Sequence, residues 1–362
     1  MDKNSFWRNK KVLITGHTGF KGGWLSLILA QKGAKVIGFA LKPGTKPSFY
    51  QSVELGKKVT SIFGDIRDLK ELKKVIKKYK PEIVFHLAAQ PLVRKSYQNP
   101  IETYETNVIG TANVLEAVKE TTSVKVVVCI TTDKVYENNE WVWPYRENDK
   151  LGGFDPYSSS KACAEIVISA YRNSFFKATK GYSVQIASAR AGNVIGGGDW
   201  SEDRLIPDVM RSIFENKNLE IRNPDSVRPW QHVLDPLFGY IKLAEKLSQK
   251  GSEFTEAFNF GPDNDEVVPV KRVLNELNKS LTQKINIKKS KGKHPHEAGL
   301  LLLDSSKAKR KLNWQGKLKI SDAVKFTADW YSAFYSQRAS THSKTKMDEF
   351  TSEQIKKYQE LI

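Results

Sequence analysis

The feature that most constrains this 362-residue chain is a glycine-rich turn near its start. The segment Lys11–Thr15 has the pattern of a β-strand, and three glycines follow it at intervals of three residues. Glycine allows a tight turn and a close approach to a pyrophosphate, and the N-terminus of the next helix attracts the anion. The spacing differs from the ordinary G-x-G-x-x-G, and a strand–helix turn without a ligand is the alternative. We predict a dinucleotide-binding turn made by Gly16, Thr18, Gly19, Phe20 and Gly22.

Short β-branched runs alternate with helical patterns through the first half of the chain. Predicted strands include 35–39, 83–87 and 124–131, and predicted helices include 24–32, 69–79, 107–120 and 157–176. This alternation predicts an α/β protein with a doubly wound, parallel Rossmann-type sheet. The rhythm breaks after Asn193. We therefore predict a dinucleotide-binding domain (1–190 plus about 233–261), a smaller, mainly C-terminal α/β substrate region (about 191–232 plus 262–335), and a linker with a C-terminal helix (336–362).

Composition narrows the range of partners. The chain has 58 Lys and Arg against 40 Asp and Glu, a formal net charge of +18. Such charge is typical of nucleic-acid binders, but the lysines are scattered, so we expect a basic surface, an anionic small substrate and no nucleic acid. Two cysteines suit a reducing compartment. Because no apolar run approaches the roughly 20 residues of a membrane span, we expect a cytoplasmic protein with no membrane partner. We also expect no metal site.

Two further segments follow predicted strands and suit a dinucleotide. An aspartate at a strand end can accept a hydrogen bond from an adenine amino group, whereas Asp68 is suited to cap the next helix. Small residues after 83–87 would let the dinucleotide lie against the backbone, where ligands bind in open α/β sheets. Solvated loop positions are the alternative. The predicted cofactor contacts in these segments are Asp65, Ile66, Ala88, Ala89 and Gln90.

The spacing of Tyr157 and Lys161 places both side chains on one helix face. We expect the lysine cation to lower the tyrosine pKa from about 10, so that the phenolate acts as a general base on a hydroxyl. A surface pair is the alternative, but Asp155-Pro156 starts a helix here. Thr132, at the end of the preceding strand, can share the hydrogen bond of the substrate oxygen.

These signals, in this order, resemble the extended short-chain dehydrogenase/reductase family over about residues 8–335. Seven further segments resemble the CDP-glucose 4,6-dehydratase branch of that family. They are HTGFKG at 17–22, AAQPLVR at 88–94, TDKVY at 132–136, EWVW at 140–143, RAGNVIGGGDW at 190–200, RPWQHV at 228–233 and HPHE at 294–297.

The resemblance implies a dehydration driven by internal redox chemistry. Tyr157, with Thr132 and Lys161, would take the proton of the sugar C4 hydroxyl while a hydride leaves C4, and the hydride would return at C6. Asp133 is suited to be the acid at C6 if its site raises its pKa. Lys134 stands where related dTDP-glucose dehydratases carry glutamate, so its role as the C5 base is a hypothesis that requires a neutral amine. The implied product is CDP-4-keto-6-deoxyglucose.

The second region is implied to hold the nucleotide-sugar. Arg204 and Arg228 are predicted to bind the diphosphate, because the fork of arginine matches phosphate oxygens. Asn193 is predicted to position the sugar or the diphosphate. The other predicted substrate contacts are Arg94, His296 and Glu297, with a solvated loop turn as the alternative for the last two.

The resemblance implies NAD as the cofactor, with Asn107 among its contacts. The second predicted strand ends in Gly38-Phe39-Ala40-Leu41 without an acidic residue for the ribose 2′-OH, and Lys42 follows. The local charge therefore also tolerates NADP. A homodimer through the helices at 107–120 and 157–176 is implied as well.

Other functions compete with this interpretation. A 4-epimerase or another nucleotide-sugar dehydratase would use the same scaffold, but an epimerase has no need of an acid and a base such as Asp133 and Lys134 for elimination. A non-catalytic dinucleotide-binding protein has no need of the Tyr157 and Lys161 pair. The sequence therefore favours an enzyme that eliminates water.

Overall fold

The computed structural model describes residues 5–176, 183–215, 217–283, 285–289, 298–339 and 346–362. Its strands are β1 (Lys11–Thr15), β2 (Lys35–Ala40), β3 (Thr60–Phe63), β4 (Ile83–His86), β5 (Val126–Ile130), β6 (Gln185–Arg190), β7 (Val194–Ile195), β8 (Leu219–Ile221), β9 (Val227–Arg228), β10 (Gln231–His232), β11 (Ala257–Asn259), β12 (Val268–Pro269) and β13 (Ile287–Lys289). Seven of them form a parallel sheet in the order β3-β2-β1-β4-β5-β6-β11. The predicted doubly wound α/β fold is confirmed.

The central strands are apolar on both faces because helices cover both sides of the sheet. All five residues of β5, Val-Val-Val-Cys-Ile, are buried, as expected for a strand inside a parallel sheet. The strand order reverses between β1 and β4, which pair in parallel register from Val12 opposite Ile83 to Thr15 opposite His86. A crevice at the carboxyl ends of such strands is where ligands bind in this architecture.

The helices are α1 (Phe20–Gln31), α2 (Phe49–Ser52), α3 (Leu69–Tyr79), α4 (Val93–Gln98), α5 (Pro100–Tyr104), α6 (Gly110–Lys119), α7 (Pro156–Ser174), α8 (Leu205–Phe214), α9 (Leu234–Lys250), α10 (Val270–Ser280), α11 (Ser306–Leu312), α12 (Ile320–Ala339) and α13 (Met347–Gln359). One core joins α3, α6 and α7 to the sheet. A larger core on the other side holds α1, α9, α12 and α13. No helix among the described residues is long and apolar enough to cross a membrane.

The predicted cap of α3 is confirmed, because the Asp68 carboxylate accepts the Glu71 N–H at 3.0 Å. In contrast, α1 begins at Phe20, directly after the glycine turn, rather than at the predicted Trp24. The helix predicted from Asn107 begins at Gly110, and a wider turn of helix, Glu105–Ile109, precedes it. Both differences lie next to the crevice.

Outside the sheet, three short pairs of strands tie segments of the second half together: β7 with β10, β9 with β12, and β8 with β13. The C-terminal helix α13 packs on the body of the protein. Trp330 on α12 donates to Thr351 at 2.9 Å, and Tyr358 donates to Asp235 at 2.7 Å. The ring of Trp330 lies against Gly197 so closely that a Cβ there would overlap it. The C-terminal helix thus supports the glycine-rich segment that follows β7.

Candidate active site

The glycine turn has the shape that a dinucleotide needs. Gly16 has φ of 80°, and a Cβ on it would lie 2.7 Å from the backbone nitrogen of Ala88. A Cβ on Gly22 would collide with the carbonyl oxygen of Gly16. Gly19 caps α1 without a side-chain hydrogen bond, so the first-turn N–H groups face the crevice with the positive end of the helix dipole. These residues fit a pyrophosphate.

The other residues predicted to bind the cofactor near this turn have partners inside the protein. Thr18 is buried and donates to the carbonyl of Leu41 at 2.8 Å. Asp65 accepts the N–H of Arg67 at 2.9 Å and its guanidinium at 2.7 Å. Burial acts to raise the pKa of Asp65, but these hydrogen bonds outweigh it and hold that pKa below its usual value. Ile66 is buried under Gly110. Asp65 is thus a fixed carboxylate at the outer end of the crevice.

Ala88 and Ala89 follow β4 beside the glycine turn, and buried amides hold this segment in place. Asn107 accepts the N–H of Gln90 at 2.8 Å and donates to the carbonyl of Gln90 and to Ser160. The side chain of Gln90 donates to Thr103 at 3.0 Å. The hydrogen bonds of Asn107 therefore join the edge of the crevice to α7, the helix that carries Tyr157.

Helix α7 brings Tyr157 and Lys161 to the carboxyl end of β5. Asp155 caps the helix by accepting the Ser158 N–H at 2.9 Å. The Tyr157 side chain is 8% exposed, and Lys161 donates to the carbonyl of Ile130 at 3.1 Å. Both groups are therefore removed from water, as the chemistry at a sugar hydroxyl requires.

Burial sets the pKa values of this pair. It raises the pKa of Tyr157 to about 12, opposed by a hydrogen bond with Thr132 and by the charge of Arg204. It also lowers the pKa of Lys161 to about 8, opposed by the nearby carboxylate of Glu165. The expectation that Lys161 lowers the tyrosine pKa is therefore wrong for this structure. Desolvation exceeds it, and Thr132 and Arg204 are the groups that favour the phenolate.

A short 3-10 turn, Asp133–Val135, follows β5 and places two further side chains beside Tyr157. Thr132 caps this turn and donates its hydroxyl to Oδ1 of Asp133 at 2.9 Å. Asp133 is 1% exposed, and a Cβ on Gly192 would overlap its carboxylate. Lys134 is half-buried. The predicted trio of Thr132, Asp133 and Lys134 is therefore one structural unit next to Tyr157.

Lys21 also belongs to this site, although sequence reasoning did not single it out. Burial lowers its pKa to about 8, the charges of Arg204 and Lys161 lower it further, and those of Asp133 and Asp199 oppose this. Its ammonium therefore interacts electrostatically with the charged groups gathered beside Tyr157. Its position inside the glycine turn, directly after Phe20, was the available signal.

A buried ion pair lies one helical turn beyond Lys161. Glu165 and Arg190 are each about 4% exposed and bond each other at 2.9 and 3.0 Å. Thr131 and Ser188 also donate to Glu165. Burial acts to raise the pKa of Glu165, but the charge of Arg190 and these hydrogen bonds outweigh it and hold that pKa below its usual value. Sequence reasoning missed this pair, because its partners lie on three separate segments.

The residues predicted to bind substrate are distributed around the site. Arg204 bonds the buried Asp199 at 2.8 Å, and its charge reaches Tyr157. Arg94 pairs with Asp203 at 3.0 Å. Arg228 donates to the carbonyls of Val227, Gly299 and Ala298. Asn193 adopts φ of 41° just before β7. His296 and Glu297 lie outside the described residues.

The structure therefore gathers Thr132, Asp133, Tyr157, Lys161 and Arg204 at one site. Arg228 is not part of this group. It lies on β9, which pairs with β12, and its guanidinium donates to backbone carbonyls such as that of Gly299. Among the described residues, no group of three or more His, Cys, Asp or Glu side chains is arranged to hold a metal ion.

Comparison with known proteins gives a consistent result. The chain matches the family model of GDP-mannose 4,6 dehydratase over residues 13–327. It is 51% identical to CDP-glucose 4,6-dehydratase of Salmonella typhimurium over 336 residues, which cover 92% of this chain and 93% of the relative. It is 24% identical to UDP-glucose 4-epimerase of Rhizobium meliloti, over 90% of this chain and 98% of that protein.

Solved structures share the fold. The dTDP-glucose 4,6-dehydratase of Bacillus anthracis, in complex with NAD, superimposes with a TM-score of 0.73 at 25% identity, covering 89% of this chain and 96% of that one. The UDP-glucose-4-epimerase of Stenotrophomonas maltophila, with bound NAD, gives 0.79 at 19% identity, covering 92% and 100%. The second likeness concerns the fold alone.

Proposed function

The chain belongs to the GDP-mannose 4,6-dehydratase family, and on this premise we propose that it converts CDP-glucose to CDP-4-keto-6-deoxyglucose. The relative that is 51% identical over nearly the whole chain is a CDP-glucose 4,6-dehydratase, and this supports the choice of substrate. The reaction removes one water molecule from the sugar and leaves no net oxidation. The enzyme is thus a lyase that uses redox chemistry internally.

One observation carries the dehydratase assignment: Asp133 and Lys134 follow Thr132 directly beside Tyr157. Oxidation at C4 needs a base near the C4 hydroxyl, and Tyr157 supplies it. Elimination across C5 and C6 needs a second base and an acid in addition. The buried carboxyl of Asp133 and the half-buried amine of Lys134 supply these two groups.

The cofactor is NAD, which when bound accepts a hydride from C4 and returns it at C6. Gly16, Gly19, Gly22 and the first turn of α1 would hold its pyrophosphate, and Asp65 would accept a hydrogen bond from the adenine. The dinucleotide would lie along Ala88 and Ala89. The dehydratase of Bacillus anthracis, whose structure contains NAD, supports NAD over NADP.

The residues of the chain move the protons. Tyr157 takes the proton of the C4 hydroxyl, and Thr132 and Arg204 stabilise the phenolate that does so. Lys134 removes the C5 proton, which the 4-keto group has made acidic. Asp133 gives a proton to the C6 oxygen, and the C6–O bond breaks to release water. Lys134 then returns its proton to C5 as C6 receives the hydride.

The nucleotide-sugar occupies the side of the site built from 191–232 and 262–335, and the sheet built from 1–190 and 233–261 holds the cofactor. Arg204 and Asn193 would bind or position the diphosphate, and Arg94 would contact the substrate; Arg204 now pairs with Asp199 and Arg94 with Asp203. Arg228 contributes by holding the segment at Ala298 and Gly299. His296 and Glu297, close to that segment in sequence, are proposed for the nucleotide end.

A homodimer accounts for exposed apolar side chains on adjoining helices. Three isoleucines on neighbouring helical segments are exposed: Ile101 on α5 by 69%, Ile109 before α6 by 54% and Ile166 on α7 by 59%. Helices α5 and α7 pack on each other, so these side chains belong to one region of the surface. Apolar side chains in this arrangement mark an interaction surface.

The two cysteines are free thiols, which supports a location in the reducing cytoplasm.

The test is incubation of the NAD-loaded enzyme with CDP-glucose, dTDP-glucose and GDP-mannose in separate reactions. We expect a 4-keto product, seen by its absorbance in alkali and by the mass loss of one water, from CDP-glucose. If only dTDP-glucose or only GDP-mannose gave a product, that nucleotide-sugar would replace CDP-glucose as the assigned substrate. A 4-epimer without loss of water would replace the dehydratase by an epimerase, and no reaction at all would overturn both.

A further inference from the structure

Tyr240, in the middle of α9, has a hydroxyl that the proposed mechanism does not use. Its side chain is 0% exposed, and its Oη has no hydrogen-bond partner among the described residues. A buried polar group left unpaired destabilises the folded state, so such groups in native proteins usually have a bound water or a function. A phenylalanine would fill the same space without that cost.

Two other buried atoms near Tyr240 share this condition. Oδ2 of Asp133 and Oε1 of Gln231 have no partner among the residues that the structure describes. The other oxygen of Asp133 accepts the Thr132 hydroxyl. The amide nitrogen of Gln231 donates to the carbonyls of Phe260, at 2.8 Å, and Gly192. Each side chain is therefore held in place while one of its oxygens stays unpaired.

A chain of contacts between neighbouring groups links Tyr240, Gln231 and Asp133. The rings of Tyr240 and Phe260 meet edge-to-face at 5.3 Å, and the carbonyl of Phe260 binds the Gln231 amide. Gly192 binds the same amide and lies directly against the Asp133 carboxylate. Burial raises the pKa of Tyr240, so its hydroxyl stays protonated and can donate a hydrogen bond.

We propose that Tyr240 is a positioning residue for Asp133 and acts through one buried water molecule bound by Tyr240, Gln231 and Asp133. The water accepts the Tyr240 hydroxyl and donates its two hydrogens to Oε1 of Gln231 and Oδ2 of Asp133. A buried water typically makes two to four such bonds, and this arrangement satisfies every unpaired atom. The inference rests on the proposed role of Asp133 as the acid at C6.

This water determines which oxygen of Asp133 carries the proton. Because the water donates to Oδ2, the proton of the acid lies on Oδ1, and in this protonated state the Thr132 hydroxyl rotates to accept that proton instead of donating to Oδ1. When Oδ1 gives that proton to the C6 oxygen, the C6–O bond breaks and the electron pair of the O–H bond remains on the carboxylate. The water then stabilises the new negative charge, and neither Tyr240 nor Gln231 changes its protonation state. The contact strengthens in the transition state and so accelerates elimination.

The variant Tyr240→Phe tests this role in the NAD-loaded enzyme. We expect an unchanged rate of C4 oxidation, followed through nicotinamide absorbance, and a rate of elimination lower by about tenfold to hundredfold. Reduced nicotinamide would then accumulate. The matched control is Tyr358→Phe, which removes a buried tyrosine hydroxyl bonded to Asp235 and should leave elimination unchanged. An elimination rate equal to wild type in Tyr240→Phe would overturn the inference.

A change of leaving group separates positioning of the acid from a general structural effect. Fluoride needs less protonation than hydroxide, so the deficit of Tyr240→Phe should shrink by about tenfold with CDP-6-deoxy-6-fluoroglucose. An equal deficit on both substrates would show a structural effect and overturn the proposal. If the wild-type enzyme makes no 4-keto product from CDP-glucose, the proposed function fails instead. A crystal structure with no water between Tyr240 and Asp133 would also contradict the inference.

Discussion

The two ends of this active site are built in different ways. At the C4 end, Tyr157 and Lys161 stand one turn apart on α7, and Thr132 follows the neighbouring strand. At the substrate end, Arg228 depends on carbonyls 70 and 71 residues further along the chain. The first arrangement follows from local sequence, whereas the second exists only after the chain has folded. In the proposed mechanism, the redox chemistry therefore depends on residues close in sequence, whereas substrate binding depends on long-range contacts.

The largest effect is expected at the C4 end. Tyr157→Phe removes the base that takes the C4 proton, so formation of the 4-keto product should fall about 1,000-fold or more. Reduced nicotinamide should not form either, because oxidation comes first. Tyr171→Phe is the control, since this tyrosine lies on the same helix but donates to Glu116 away from the site. Activity within about tenfold of wild type would show that another group takes the proton.

The same comparison explains how far the sequence predicted the structure. The spacing of Tyr157 and Lys161 predicts that they share a helix, which α7 confirms, and α3 has its predicted bounds and its predicted cap, Asp68. Such features depend on residues three or four positions apart, which a linear sequence displays directly. The parallel sheet followed from alternating patterns in the same way.

The rest could not be predicted for a physical reason. The proposed partnership of Tyr240 on α9 with Asp133 after β5 depends on contacts of Gly192, Gln231 and Phe260, which come from other segments. No spacing in the sequence encodes this partnership. The raised pKa of Tyr157 was also missed, because it depends on how completely the folded protein excludes water. Burial is a property of the whole fold.

The second effect concerns the elimination chemistry, which lies between the two ends. Lys134→Met keeps the length of the side chain but removes the amine, so product formation should fall about 100-fold. C4 oxidation should continue, and exchange of the C5 proton with deuterated water should stop, as measured by mass spectrometry. Normal C5 exchange in this variant would eliminate Lys134 as the C5 base. Lys150→Met, at an exposed salt bridge with Glu137, is the control.

A smaller effect is expected at the substrate end. Arg228→Lys keeps the charge but cannot bond several carbonyls with a planar fork, so the segment at Ala298 and Gly299 should lose its position. We expect KM for CDP-glucose to rise about tenfold while kcat stays within about threefold of wild type. Steady-state kinetics beside Arg272→Lys, a surface pair with Glu276, would measure this. A loss in kcat instead would mean that the C4 end depends on this contact, and the comparison of the two ends would fail.

The smallest effect on activity is expected where α13 docks, away from both ends. Burial raises the pKa of Asp235 to about 6, opposed by hydrogen bonds from Lys317 and Tyr358. Between about pH 4 and pH 6 the folded protein therefore binds more protons than the unfolded chain, so the free energy of unfolding falls as pH rises through this window. The accumulated loss at neutral pH is about 3 kcal/mol.

Asp235→Asn keeps an acceptor oxygen for Tyr358 but has no proton to lose, so it should escape this loss. Urea unfolding should show the variant more stable than wild type at neutral pH by up to about 3 kcal/mol, with the difference disappearing towards about pH 4. Turnover should be unchanged. Asp329→Asn, an exposed carboxylate paired with Lys325, should follow the wild-type curve. Parallel pH curves for Asp235→Asn and wild type would show that Asp235 does not make the stability of the protein depend on pH. The pH dependence would then have to come from other groups, including those at the two ends of the active site.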